Sequence, residues 1–186
     1  MEALVFDTET TGLVSSRLVK KTSLPEIIEF YGARCTFNKQ TGDFKIIEEL
    51  ELLIKPDRMI NEYKEGKQNI AKITGITNAM LADAPPLQQV ANQMFELIER
   101  APLVIAHNLH YDEEVMDIAA TRQNYQIKWP PGICTVEATA YLRSERLTLT
   151  NLYAMLFNEK FTPHRAKADT TALIRCCAKL YQQGVI

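Results

Sequence analysis

Several carboxylates in this chain fall on positions that the surrounding pattern assigns to the interior, where an unpaired charge is strongly unfavourable. Counting from Asp169, the residues at +3, +4, +7 and +11 are Ala172, Leu173, Cys176 and Leu180, so the acid shares the apolar stripe of a helix. Asp112 repeats the arrangement, with Val115, Met116 and Ala119 at +3, +4 and +7. Its place in a first helical turn also suits an acid that merely meets the helix dipole. Asp7 and Glu9 stand two apart after Leu4-Val5-Phe6. If the chain stays extended, both side chains leave one face roughly 7 Å apart, a gap that a shared cation bridges. A turn at Thr8, Thr10, Thr11 and Gly12 would instead leave both acids in solvent.

Four carboxylates brought together repel one another and raise one another's pKa unless cations neutralise them, so convergence would itself imply a metal site. All-oxygen ligands favour Mg²⁺ or Mn²⁺. His107 and His110 have a zinc-like spacing, but no nearby cysteine pair completes a cage. His164 follows Pro163 and precedes Asp169 by five residues, which places it in a loop or at a helix start. A histidine there is ordinary polar surface or, beside a metal-bound water, a general base.

These residues need elements to carry them. Glu2 to Asp7 reads as a strand, followed by strands over Ile27 to Phe37 and Phe44 to Ile54 joined through residues 38–43. A helix over Leu87 to Glu99 follows Pro85-Pro86, and Leu103 to Ala106 is a buried strand. Helical spacing returns at Tyr111 to Gln123, Leu149 to Phe157 and Arg165 to Gln182, with Gly184 marking the end. Strands first, then helices with one interposed strand, predict an α/β architecture in which helices cover a mixed sheet. That order alone does not single out one fold.

With 186 residues, 46% hydrophobic and 24% charged, the chain has an ordinary globular composition, and one domain over residues 1–186 is expected. The longest apolar run, Ala101 to Ala106, is six residues, against the ~20 that a membrane helix requires. Met1-Glu2-Ala3 is acidic and carries no secretory leader pattern, so a cytoplasmic location is expected. Cys35, Cys134, Cys176 and Cys177 form no Cys-x-x-Cys pair and are expected to be buried free thiols. Twenty-one bases against 23 acids leave a net charge of −2, which argues against long-range attraction to polyanions but not against a local nucleic-acid site.

Three ordered motifs carry a family resemblance: Phe6-Asp7-Thr8-Glu9-Thr10-Thr11-Gly12-Leu13, His107-Asn108-Leu109-His110-Tyr111-Asp112 and His164-Arg165-Ala166-Lys167-Ala168-Asp169. With Ile73-Thr74-Gly75-Ile76-Thr77 and Leu147-x-Leu149-x-x-Leu152, the chain resembles the DEDDh 3′→5′ exonucleases, relatives of the proofreading subunit of bacterial replicative DNA polymerase. The resemblance implies a ribonuclease H-like fold, a mixed five-stranded sheet flanked by helices. It implies two divalent cations, Mg²⁺ or Mn²⁺, with Asp7, Glu9 and Asp169 as direct ligands and Asp112 completing the site through water. His164 matches the general base, and the implied product is a nucleoside 5′-monophosphate. Thr10, Thr11, Gly12 and Leu13 match the segment that contacts the terminal nucleotide, although Leu13 also suits a core anchor. His107 and Asn108 match residues that contact substrate or fix a strand end, and Tyr111 stands where relatives often have Phe.

The expected partner is a nucleic-acid 3′ end, DNA ahead of RNA, because Asp-Thr-Glu-Thr-Thr-Gly is closer to the proofreading relatives than to oligoribonuclease-like ones. Arg17, Lys20, Lys21, Arg143, Arg146, Arg165 and Lys167 are candidates for phosphate contacts or solvated surface charges. Such scattered bases predict a salt-sensitive grip on a few terminal nucleotides and low processivity. Other readings are an RNA-trimming exoribonuclease, an aspartyl phosphotransferase with Asp7 as nucleophile, and a catalytically silent exonuclease-like module that binds nucleic acid or a polymerase. Glu9 argues against the phosphotransferase, and the filled signature positions argue against the silent module. A membrane role is not expected. The short stretch after the last helix suits a stand-alone, phage or plasmid nuclease better than a stable polymerase subunit.

Overall fold

Alternation along the first strand divides the interior into two layers. In the computed structural model, which describes residues 1–14, 24–62, 69–142 and 146–186, β1 (Glu2–Thr10) stays extended for nine residues. Leu4 and Phe6 enter one core, while Ala3 and Val5 enter the other, as the period of two requires. β1 pairs antiparallel with β2 (Ile27–Phe37), which pairs antiparallel with β3 (Phe44–Leu53). On the other side β4 (Val104–Ala106) and β5 (Gly132–Cys134) run parallel to β1, giving the order β3-β2-β1-β4-β5. This is the mixed five-stranded α/β sheet that the resemblance implies.

The short helices α1 (Ile70–Thr74) and α2 (Asn78–Leu81) pack Ile70 and Leu81, with Ile76 between them, against Ile28 in a small satellite core. α3 (Leu87–Glu99) and α4 (Leu109–Arg122) cover one face of the sheet, burying Met94, Phe95, Leu97, Val115 and Met116 with Leu4, Phe6 and Phe30. α5 (Thr135–Ala138) follows β5. α6 (Leu149–Phe157) and α7 (Ala166–Gln182) cover the opposite face. There the predicted stripe Ala172, Leu173, Cys176 and Leu180 meets Val5, Tyr31, Ala33 and Cys35. Because β2 is covered on both faces, its segment 27–33 is buried throughout. A Cβ at Gly32 would lie 3.1 Å from Leu97 Cδ2, so the absent side chain allows α3 to settle closely on the sheet.

Several boundaries differ from the sequence reading. β1 does not end at Asp7 but continues to Thr10, because β2 keeps pairing with it through an irregularity at Glu9/Thr10. β3 ends at Leu53 and β4 begins at Val104, each one residue inside the expected limits. α4 begins two residues before Tyr111 and ends at Arg122. Asn108 adopts a left-handed conformation (φ 76°), so the chain turns from strand into helix through only His107 and Asn108. Arg165 is the N-cap of α7, not its first residue. The fifth strand has no signature in the sequence: it is three residues long and follows Pro130-Pro131, too short for alternation to show.

All four cysteines are buried and free. Burial pushes the Cys35 and Cys176 thiols up to about 12 and holds Cys177 well above its ordinary value. Among the described residues no helix is long and apolar enough to cross a membrane. Leu97, fully buried where α3 meets Gly32, is expected to lower unfolding stability by about 2–5 kcal/mol when replaced in Leu97→Ala, as read from urea denaturation midpoints.

Candidate active site

The two faces of β1 reach the same cleft by different routes. Asp7 and Glu9 share the face of Ala3 and Val5, which is the α7 side, and there they meet Asp169 in the first turn of that helix. One carboxylate oxygen from each of Asp7, Glu9 and Asp169 can be chosen so that all three lie within 4.8 Å of one another. Thr8, on the opposite face, donates from Oγ1 to Asp112 Oδ1 at 2.8 Å and draws the first turn of α4 to the same strand end. Asp112 is only 3% exposed and Asp169 only 8%. A cleft of about 210 Å³ is lined by all four acids together with Thr8, His107, Tyr111, Leu149 and His164. Two larger clefts, of about 670 and 690 Å³, contain none of these acids, so size does not mark the site.

Burial and mutual repulsion act in the same direction on this cluster. The Asp7 carboxyl is held well above the ordinary carboxylate range, first by burial and then by Asp112, Asp169, Glu9 and Glu29. Glu9 is pushed up to about 8 by burial and by Asp169, Glu29 and Asp112, with Arg165 acting in the opposite sense. Asp112 and Asp169 are raised by burial too, although the Thr8 hydrogen bond and the His164 amide respectively counteract it. Acids that resist ionisation when alone but present oxygens at cation-binding separation fit a hard divalent ion such as Mg²⁺ or Mn²⁺. Asp7, Glu9 and Asp169 would hold it directly, with Asp112 set slightly back on Thr8.

His164 lies on the rim, exposed, with φ 72°. Its backbone N–H donates to Asp169 Oδ2 at 2.6 Å, and the next amide, Arg165 N–H, donates to the same oxygen at 3.2 Å. Among the described residues its ring has no hydrogen-bond partner and borders the acid cleft. His107 is different. Its Nε2 donates to the Leu147 carbonyl at 3.1 Å, and its Nδ1 accepts from Thr135 Oγ1 at 2.9 Å. Burial lowers its pKa to about 4, so the ring is neutral and fully engaged. That favours fixing the end of β4 over contacting substrate. Asn108 likewise offers its side-chain carbonyl to Arg146 and does not line the acid cleft.

Residues 10–13 form a ledge beside the acids, outside the lining of the small cleft. Thr11 is tied to Glu26 by two hydrogen bonds, N–H to the Glu26 carbonyl at 2.9 Å and Glu26 N–H to Thr11 Oγ1 at 3.0 Å. The Tyr111 hydroxyl lies 2.8 Å from Thr10 Oγ1 and 3.0 Å from the Gly12 carbonyl, a clasp that a phenylalanine could not make. Leu13 is 70% exposed, so it is an apolar side chain presented to solvent and not the core anchor that was its other reading.

Glu29 was not singled out from the sequence, and Leu149 was named in a motif without a place in the site. Glu29 was recognisable as a charge inside the apolar run Ile27-Ile28-Glu29-Phe30-Tyr31; it stands directly across from Glu9 in the β1–β2 pairing. Leu149 belongs to the Leu147-x-Leu149-x-x-Leu152 pattern and lines the acid cleft. Of the bases considered for phosphate contacts, Arg165 pairs with Glu29 at 2.6 Å and Lys167 with Glu51 at 2.6 Å, so both are engaged within the protein. Arg17, Lys20, Lys21 and Arg143 lie outside the described residues. His110 contacts Glu113 at 3.4 Å and Glu137 at 3.0 Å, an exposed ion-pair arrangement and not a zinc cage with His107.

Comparison with known proteins places this geometry in context. Residues 4–177 match the family RNase_T, described as Exonuclease. The chain is 30% identical over 177 residues to DNA polymerase III subunit epsilon of Haemophilus influenzae, covering 91% of this chain and 63% of that protein. It is 29% identical over 190 residues to DNA polymerase III PolC-type of Caldanaerobacter subterraneus subsp. tengcongensis, covering 99% of this chain but 12% of that protein. The chain thus spans less than two thirds of either relative. Among solved structures, Exonuclease X in complex with 5′ overhanging duplex DNA is similar in fold (TM-score 0.66, 23% identity, 98% of this chain and 93% of that one). So is the nuclease domain of 3′hExo, a DEDDh family member bound to rAMP (TM-score 0.72, 16% identity, 98% and 92%).

Glu9 holds its proton in the folded state between its ordinary value of 4.5 and about 8, whereas the unfolded chain releases it. More protons on the folded form mean that stability falls as pH rises through this window. In EDTA the Tm is expected to drop by a few degrees between those limits, and less in Glu9→Gln. Added Mg²⁺ or Mn²⁺ should raise Tm most at the alkaline end. Differential scanning fluorimetry across pH checks both trends.

Proposed function

The chain belongs to the exonuclease family designated RNase_T, of the DEDDh 3′→5′ type, and we propose that it hydrolyses the terminal phosphodiester of DNA 3′ ends, releasing nucleoside 5′-monophosphates. The observation that carries this reading is the convergence of Asp7, Glu9 and Asp169 within 4.8 Å, in a cleft that also contains Asp112 and is bordered by His164. Two divalent cations bound there would neutralise the acids, polarise the scissile phosphate and stabilise charge on the attacking and leaving oxygens. Asp7, Glu9 and Asp169 are the proposed direct ligands, and Asp112 the fourth acid.

His164 is the proposed general base. Its ring borders the acids and has no described partner to hold it back, so it is placed to take a proton from water attacking the phosphorus. The ledge of Thr10, Thr11, Gly12 and Leu13 is proposed to receive the terminal nucleotide. Exposed Leu13 offers apolar contact to the base, and the Tyr111 clasp keeps the ledge beside the cluster. His107 and Asn108 are proposed to hold the strand–helix junction beneath it. DNA is placed ahead of RNA because relatives that match across the chain are DNA polymerase III proteins. The proposed unit is one exonuclease domain over residues 1–186, acting on nucleic-acid ends.

The test uses 5′-labelled single-stranded DNA and RNA of one sequence, with Mg²⁺, Mn²⁺ or EDTA. A ladder shortening from the 3′ end is expected, faster on DNA, and absent in EDTA or with Asp7→Ala. His164→Ala should lower kcat by about 10²–10⁴-fold. Internal cleavage or undiminished activity in EDTA would overturn the mechanism, and faster loss of ribonucleotides would transfer the substrate to RNA.

A further inference from the structure

We propose that Glu29 and Arg165 are a positioning pair that sets His164 over the acid cluster. The proposal rests on the reading of His164 as general base, and it assigns a role to a fifth carboxylate that binds no cation. Glu29 is 2% exposed, on β2 directly across from Glu9. Both of its oxygens are occupied. Oε1 accepts from Arg165 Nη2 at 2.6 Å and Nε at 3.0 Å, while Oε2 accepts from the Ala166 N–H at 2.8 Å and from Arg165 Nε at 3.1 Å. Glu29 therefore caps the start of α7 from a neighbouring strand, a task that the N-cap Arg165 does not perform with its own side chain.

The location of this capping is what connects it to catalysis. A buried acid opposite Glu9 is unfavourable for stability, since like charges directly across a strand pair repel. An apolar residue would remove that repulsion but release Arg165, the residue covalently next to His164. His164 has φ 72°, a conformation that a side-chain-bearing residue holds only when its surroundings over-determine it. The surroundings consist of two fastenings. Asp169 Oδ2 accepts the amides of His164 and Arg165, and the Glu29 carboxylate grips the Arg165 fork. The incoming loop is already anchored upstream, where Glu159 pairs with Arg175 at 2.9 Å and the Phe161 ring packs on Tyr153. Loosening the pair thus frees the His164 turn without releasing the loop as a whole.

Arg165→Lys keeps the charge but loses the two-pronged grip, and Glu29→Gln keeps an acceptor for the Ala166 amide. Each is expected to lower kcat on single-stranded DNA by roughly 10²-fold, the effect of a small misplacement of a reacting group. KM should be unchanged in both variants, and the Mn²⁺ concentration for half-maximal rate should be unchanged in Arg165→Lys, which preserves the charge beside the acids. Combined with His164→Ala, neither substitution should reduce the residual rate further, because a group that acts through His164 has nothing left to position. Hydrogen exchange on the metal-free protein supplies a readout independent of turnover: the His164 amide should exchange faster in both variants while β1 amides stay protected. Losses that multiply with His164→Ala, a shifted Mn²⁺ requirement in Arg165→Lys, or unchanged exchange at His164 would overturn the proposal. A wild type that shortens neither DNA nor RNA would instead overturn the exonuclease reading, and the exchange measurement would still decide whether the pair fixes His164.

Discussion

Mutual repulsion among buried carboxylates is the constraint around which the rest of this molecule is arranged. Asp7, Glu9 and Asp169 approach to cation-bridging distance, with Asp112 and Glu29 close enough to raise the pKa values of their neighbours. Such a cluster does not assemble spontaneously. It is imposed by a sheet whose central strands are buried on both faces and by helices whose apolar stripes leave little freedom of rotation. The fold therefore supplies rigidity at one strand end, and the charge it confines there becomes favourable only when cations share the cleft.

The means of confinement is the alternation of β1. Odd positions deliver Asp7 and Glu9 to the α7 layer, and the even position between them, Thr8, reaches across to Asp112 on α4. Two helices from different layers are thereby referred to three consecutive residues of one strand. This works only because β1 continues in register through Glu9, held by pairing with β2 beyond the point where the sequence turns polar.

Much of this was legible in the sequence, for identifiable reasons. The stripe following Asp169 and the one following Asp112 predicted interior-facing acids, and both are buried. Long elements such as Ile27–Phe37 and Leu87–Glu99 were readable to the residue, the strand from its run of strand-forming residues and the helix from its periodicity. What escaped was set by tertiary contact. β5 is too short to show alternation, left-handed Asn108 shortens the strand–helix connection to two residues, and the partner of Glu29 lies 136 residues away. His107 lines the acid cleft, and its engagement with Thr135 and the Leu147 carbonyl depends on segments that no local pattern joins.

The four cysteines lie far from solvent, and burial suppresses the thiolate form in three of them. Since alkylating reagents need an accessible thiolate and all four sulfurs are buried, the native chain offers a silent background to maleimide dyes. A single reactive sulfur placed on the exposed ledge, as in Leu13→Cys, would be addressable by itself, so a fluorophore or spin label can report on that ledge without first stripping the interior of its own sulfur.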